Sequence, residues 1–401
     1  MRKRALQVLI LLLISLCLAQ AQNTTTNGTI SVCGDCNENG VCQTTGTCRC
    51  YPGFISSTKA KIDCASTILS LKNLPMRPLV VSLRVETTLI NFVLWLLISW
   101  RLFLDARFSG LTANVVAKLS LLCIYASTFL AWIMHAFDYW GTYGLITPLA
   151  WFDLNAFVEV LLVAAFCGMV LHWINLYNET MKTIRKREML KKINSSYVAE
   201  VSLEDIIKSI TFLSIFRVPY IAVTGVTLAV WIARCFVTPF MKTPEYAVWY
   251  KFVNVYLMIV WGCFAVAFGF YGYRLLSIMP ETTSKKIKQV TWKLCIVLGI
   301  SSVNALIMIL LDGYQPVLKG VDLNVLHISK YWVSYNTRMA AATVVLDIHM
   351  PLTELKKWFS GNALRTSRTG ASQQKSNKSG ASEEIETRPG TKSEIQHETE
   401  V

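Results

Sequence analysis

The sequence predicts an all-α membrane protein: a seven-transmembrane helical bundle, N-terminus outside and C-terminus inside, with a small disulfide-rich extracellular module. Three observations predict it. Of 401 residues, 53% are hydrophobic and only 16% charged, against roughly 45–50% and 25% in a soluble domain. Seven stretches stay mostly apolar over the roughly 20 residues that a bilayer core demands. Six of the 12 cysteines crowd between Cys33 and Cys64, the density of small secreted modules stapled by disulfides. The net charge of +14 fits either nucleic-acid binding or basic residues parked beside a membrane. Here the Lys and Arg fall in short loops between apolar runs, so no nucleic-acid partner is expected.

Residues 1–21 read as a signal peptide. Arg2, Lys3 and Arg4 make a basic start, Leu6 to Leu18 an apolar run, and Ala19 and Ala21 the small residues of a cleavage site. The alternative is an uncleaved signal anchor; in either case the chemistry of residues 22–64 argues for the lumen. Residues 22–32 form a linker with glycosylation sequons at Asn23 and Asn27. Next come Cys33, Cys36, Cys42, Cys48, Cys50 and Cys64, with Cys48-Arg49-Cys50-Tyr51-Pro52-Gly53-Phe54 as the most specific element. Over residues 33–64 this resembles an EGF-like module. Six cysteines alone leave many connectivities open; the resemblance implies Cys33–Cys42, Cys36–Cys48 and Cys50–Cys64. A structural zinc site lacks a partner His, and the lumen favours disulfides over thiolates. No acidic residue precedes Cys33 in Thr29-Ile30-Ser31-Val32, so no calcium is expected.

The seven apolar stretches lie at about 85–104, 115–137, 154–177, 212–237, 250–276, 291–311 and 327–349. The seventh is weakest, because Tyr335-Asn336-Thr337-Arg338 interrupts it. Charge places the ends. The loop after the third stretch holds Lys182, Arg185, Lys186, Arg187, Lys191 and Lys192; the loop after the fifth holds Lys285, Lys286 and Lys288; the tail opens with Lys356 and Lys357. Toward the other side come only Lys242 and Lys319 in the intervening loops and Lys330 at the start of the seventh stretch. Enrichment of Lys and Arg on the cytoplasmic side agrees with the leader, so seven spans put the C-terminus inside.

Ionisable groups in hydrocarbon need a partner or a water-filled cavity. Glu159 in the third span and Arg338 in the seventh are expected to pair. With Asn91, Asn254 and Asn304 they suggest a polar cavity opening outward; the plainer reading is that the amides bond neighbouring helices. Asp138, Asp153 and Asp312 sit at outer helix ends, where solvated charge is expected. The histidines are too dispersed for a metal site. No zinc-protease, nucleophile-elbow or phosphate-loop motif is present, so neither catalytic residues nor a cofactor are expected.

Seven spans invite comparison with rhodopsin-like receptors, but their markers are missing: the third span ends Trp173-Ile174-Asn175-Leu176-Tyr177. The end of the fifth span, Ala267-Phe268-Gly269-Phe270-Tyr271-Gly272-Tyr273-Arg274-Leu275, is similar to the tobamovirus-multiplication family of plants and its receptor-like animal cousins. Phe157, Trp173, Leu176 and Tyr177 in the third span and Lys285 to Val290 entering the sixth are similar too. The resemblance covers residues 85–350; the disulfide module and the long loop at 178–210 depart from it. It implies a receptor-like or scaffold protein of plasma, vacuolar or endolysosomal membrane, acting through partner proteins.

Leu352, Leu355, Trp358 and Phe359 recur at helical spacing, so residues 351–360 should form an amphipathic helix at the inner interface. Residues 361–401 have the composition of a disordered tail. Thr399 and Val401 match the end of a PDZ-type ligand. The expected function is therefore that of a receptor-like or scaffold protein, recognising an extracellular protein through its module and cytoplasmic partners through loops and tail. The alternative is a transporter of a small polar solute using the polar cavity.

Overall fold

The computed structural model describes residues 36–42, 46–57, 62–71, 76–109, 115–193, 217–237, 243–278, 281–313, 323–352 and 355–359. They belong to two units, divided between His349 and Met350. Asn23, Asn27, Cys33, Thr399 and Val401, with the leader, the linker and the tail beyond Phe359, lie outside the described residues.

The module is built on two short hairpins. Strands β1 (Gly40–Cys42) and β2 (Cys48–Cys50) pair antiparallel, with Cys42 opposite Cys48. Strands β3 (Phe54–Ile55) and β4 (Ser66–Thr67) pair antiparallel, with Phe54 opposite Thr67. Disulfides join Cys36 to Cys48 and Cys50 to Cys64; Cys42 is also disulfide-bonded. These sulfurs and Phe54 form the module's interior. So little apolar surface does not hold a fold unaided, and the cross-links supply what burial lacks. The module runs past the expected end at residue 64, because Ser66 and Thr67 add a strand. Backbone pairing of that kind leaves no trace in cysteine spacing.

Seven long helices come next among the described residues: α1 (Arg77–Ser109), α2 (Val115–Phe137), α3 (Pro148–Ile193), α4 (Arg217–Val237), α5 (Thr243–Ile278), α6 (Glu281–Gly313) and α7 (Leu323–His349). Six of them, α1 to α6, are long and apolar enough to cross a membrane, and the chain is a multi-pass membrane protein. Most run beyond the apolar stretches read from the sequence, since a helix does not stop where hydrocarbon would. At 46 residues, α3 is about 69 Å long, more than twice the bilayer core of roughly 30 Å. It begins with Thr147 as its cap, whose Oγ1 accepts from Ala150 N, and Pro148 at the first helical position, where no N–H is needed.

The seventh helix falls short of the others in apolar character, yet it is continuous through Tyr335-Asn336-Thr337-Arg338 over 27 residues. That is about 40 Å, enough for a bilayer core. Its polar residues are tolerated because α7 packs among α1, α2, α3 and α6, with Ser334 and Thr337 buried. The most apolar window of α3 is 67% buried and that of α4 only 11%, so α3 lies central and α4 peripheral. Leu89, Val93, Ile221, Val266, Ile300 and Val303 point outward, as lipid-facing side chains do and as a water-exposed surface of this extent does not. Helices α5 and α6 share the most extensive contact. There Gly272 meets Thr291 so closely that a Cβ would overlap it, the small-residue approach common between membrane helices.

The second unit contains a short helix, α8 (Leu355–Phe359), within the expected 351–360 segment.

Candidate functional site

Positions 152, 155 and 159 of α3 fall on one face at helical spacing, and so do 331, 334, 335 and 338 of α7. Where these faces meet, Arg338 Nε donates to Glu159 Oε1 at 2.5 Å and its Nη1 donates to Asn155 Oδ1 at 2.7 Å. Both charged side chains are 16% exposed, so the pair is largely removed from solvent. The guanidinium also stands 5.8 Å from the Tyr335 ring centroid.

Beside this pair lies a cavity of about 110 Å³. Glu159 and Arg338 form part of its wall, Asn254 of α5 and Asn304 of α6 another part, and Trp231 of α4 and Trp261 of α5 its apolar sides. Asn304 Oδ1 is buried and accepts no hydrogen bond from the described residues. Asn91 is placed elsewhere. It belongs to α1, which packs on α2 and α7 rather than on α4 to α6, and its amide donates to Thr87 O at 2.7 Å. A much smaller void separates it from Arg338. Of the five polar residues singled out in the sequence, four share the cavity and one stands apart.

The cavity wall is held by further polar contacts. Arg234 near the end of α4 donates to Asp153 Oδ1 at 3.0 Å, and Trp231 Nε1 donates to Asp153 O at 2.7 Å. Asp153 is thus paired, not a solvated helix-end charge. Asp138 departs further from that expectation. It is fully buried, and its two carboxylate oxygens accept from Tyr143 N and Ile146 N, each at 2.8 Å. A carboxylate taking two backbone donors organises the α2–α3 turn.

That turn meets the disulfide module. Trp140 has φ near +60°, unfavourable for a bulky residue and tolerated only when its surroundings impose it. Its Nε1 donates to Tyr335 OH at 2.9 Å, and its ring stacks on Tyr139. Against it sits Gly53, at φ +91°, where an added Cβ would lie 2.7 Å from Thr142 Cγ2 and 3.0 Å from the Trp140 ring. Tyr51 meets Phe152, whose ring also faces Tyr331. Phe152 and Tyr331 line the cavity, so the module touches its wall at Phe152, which in turn packs on Tyr331. His135, buried below, contacts Tyr335 edge-on; no group of His, Cys, Asp and Glu suited to a metal occurs among the described residues.

No family model, no curated protein and no solved structure matches this chain.

The end of the bundle opposite the module has its own charges. Lys293 of α6 pairs with Asp347 of α7, and Arg101 of α1 pairs with Asp105 while its Nε donates to His349 O. None of these was singled out from the sequence, nor were Asn155 and Arg234. The available signal was the one that exposed Glu159 and Arg338: Arg234, Lys293 and Asp347 also interrupt apolar runs.

Proposed function

We propose that the chain is a receptor-like or scaffold protein with seven spans, its N-terminus outside and its C-terminus inside. The module, read as EGF-like, faces extracellular protein partners, and the basic loops and tail face cytoplasmic ones. The observation that carries the reading is the seating of Gly53 and Tyr51 on Trp140 and Phe152. A mere spacer needs no such fit. A partner that tilts the module presses on Trp140, and Trp140 is bonded to Tyr335, one helical turn from Arg338. The similarity to the tobamovirus-multiplication family and its receptor-like cousins supports the same reading, in a plasma, vacuolar or endolysosomal membrane. Thr399 and Val401 suit a cytoplasmic PDZ-type partner.

The test asks whether the module's seat is felt at the far end of the bundle. Cysteines replace Lys293 and Asp347 in a chain whose other unpaired cysteines are removed, and a short bifunctional reagent reports their proximity. Gly53→Val, which unseats the module, should change the cross-linking yield. Equal yields from two folded, exported proteins would sink the receptor-like reading. The cavity favours a second reading, a transporter of a small polar solute, which uptake into proteoliposomes would separate from the first.

A further inference from the structure

We propose that the cavity binds an uncharged amphiphile of the membrane, of the monoacylglycerol type, which enters sideways between α4 and α5. Its hydroxyl head meets the Glu159–Arg338 pair, and its chain runs out past Trp231 into the bilayer.

The way in follows from how the helices pack. Helix α4 packs along α3, and α5 along α3 and α6, but α4 and α5 have no comparable contact among the described residues. The hydroxyls of Thr227 and Tyr256, 2.6 Å apart, bridge them. The cavity occupies this gap: Thr227 and Trp231 line it from α4, Tyr256 and Leu257 from α5. Both helices turn their outer faces to lipid, since Leu228 and Ile232 of α4 and Val255 and Ile259 of α5 are exposed. Toward the module, by contrast, Phe152 of the wall lies against Tyr51, and Arg234 ties α4 to Asp153 of α3. A gap between two lipid-facing helices, tied together at the module end, is reached from the bilayer.

The kind of head follows from the charges. Every charged residue of the wall already has its counterion: Glu159 has Arg338, and Arg234 has Asp153. A charged head would break one of these pairs or lie buried with no countercharge of its own. An uncharged head avoids both penalties. A guanidinium has more donors, and a carboxylate more acceptor sites, than the bonds that Arg338 and Glu159 make within the wall. A hydroxyl is donor and acceptor at once, so it gives to the carboxylate and takes from the guanidinium.

The chain follows from the rest of the wall. Trp231 and Trp261 are its apolar sides, and indole faces accept a hydrocarbon chain readily. The volume of about 110 Å³ is below the roughly 150 Å³ of a cavity that holds benzene. It takes a glyceryl head and leaves most of an acyl chain outside, where only lipid accommodates it. The site goes beyond the receptor-like reading, because binding requires no movement of the module, and it asks for no transport.

Tritiated monooleoylglycerol is the probe. Full-length protein in nanodiscs is equilibrated with it, and empty nanodiscs correct for partitioning into lipid. Binding above the empty-disc level should be saturable. Ala156→Leu, which fills the cavity from α3 and keeps the ion pair, should weaken it about tenfold, the worth of roughly two buried methylenes. Ala305→Leu, which fills the cavity from α6, decides the matter if Ala156→Leu does not fold. Oleyl sulfate and oleyltrimethylammonium carry a similar chain on a permanently charged head and should not displace the probe; nor should free glycerol in large excess. Probe retained no better than by empty discs, or bound alike by wild type and the folded filled variants, overturns the site. Displacement by either charged lipid overturns the uncharged head, and displacement by glycerol overturns entry from the membrane.

Discussion

Arg338 shows how a single buried side chain can be both a liability and an organiser inside a helical bundle. Alone and buried it would be costly; with Glu159 and Asn155 it ties α7 to the central helix α3. Removing one member leaves the other charge uncompensated, which costs on the order of 3 kcal/mol, whereas removing both costs less. In a double-mutant cycle of Glu159→Gln and Arg338→Met, each single variant should lower the unfolding temperature of the purified protein more than the double variant does. Strict additivity would refute the coupling. At this scale the sequence was partly legible. Glu159 and Arg338 stand out because a charge in an apolar run has no innocuous explanation. Asp138 does not, because a carboxylate at a helix end reads alike whether water or two backbone amides surround it. Trp140 was illegible altogether, since its left-handed backbone and its place under Gly53 arise only when the module and the α2–α3 turn come together.

At the scale of elements, helix positions were readable and helix neighbours were not. Hydrophobicity marks where a segment meets lipid, but α7 is enclosed by other helices, so its polar residues diluted the signal that made α1 to α6 plain. Which helices touch depends on close-approach sites, of which Gly272 is the tightest at the α5–α6 contact. Thr291 is β-branched and has few rotamers in a helix to retreat into. Gly272→Ala should therefore cost about 1–3 kcal/mol, the usual penalty of overpacking. Thr291→Ala introduced into the same chain should recover part of that loss, although alone it gains nothing. Thermal unfolding of the three variants in detergent checks this. If the double variant is as unstable as the sum of the singles, α5 and α6 do not meet through these residues.

For the whole molecule the open question is which side each end occupies, because six apolar helices fix a membrane but not an orientation. Two features of the sequence bear on it separately. Residues 1–21, read as a signal peptide, would deliver the module to the lumen, and disulfides such as those of the module form in an oxidising compartment. The Lys and Arg between 182 and 192, from 285 to 288, and at 356 and 357 would lie on the cytoplasmic side by the usual bias of basic residues. With α7 spanning, both features yield one arrangement; with only six spans, the basic tail and the basic loops would lie on opposite sides. Glycan chemistry decides, because sequons occur on both sides of the arrangement: Asn23 and Asn27 before the module, and Asn178, Asn194 and Asn377 in or after segments assigned inside. N-glycosidase should lower the apparent mass of the wild type. Replacing Asn23 and Asn27 by Gln should abolish that shift, and replacing the other three should leave it unchanged. A glycan on Asn377 would place the tail in the lumen. It would remove α7 from the spanning set and put Thr399 and Val401 beyond the reach of any cytoplasmic partner.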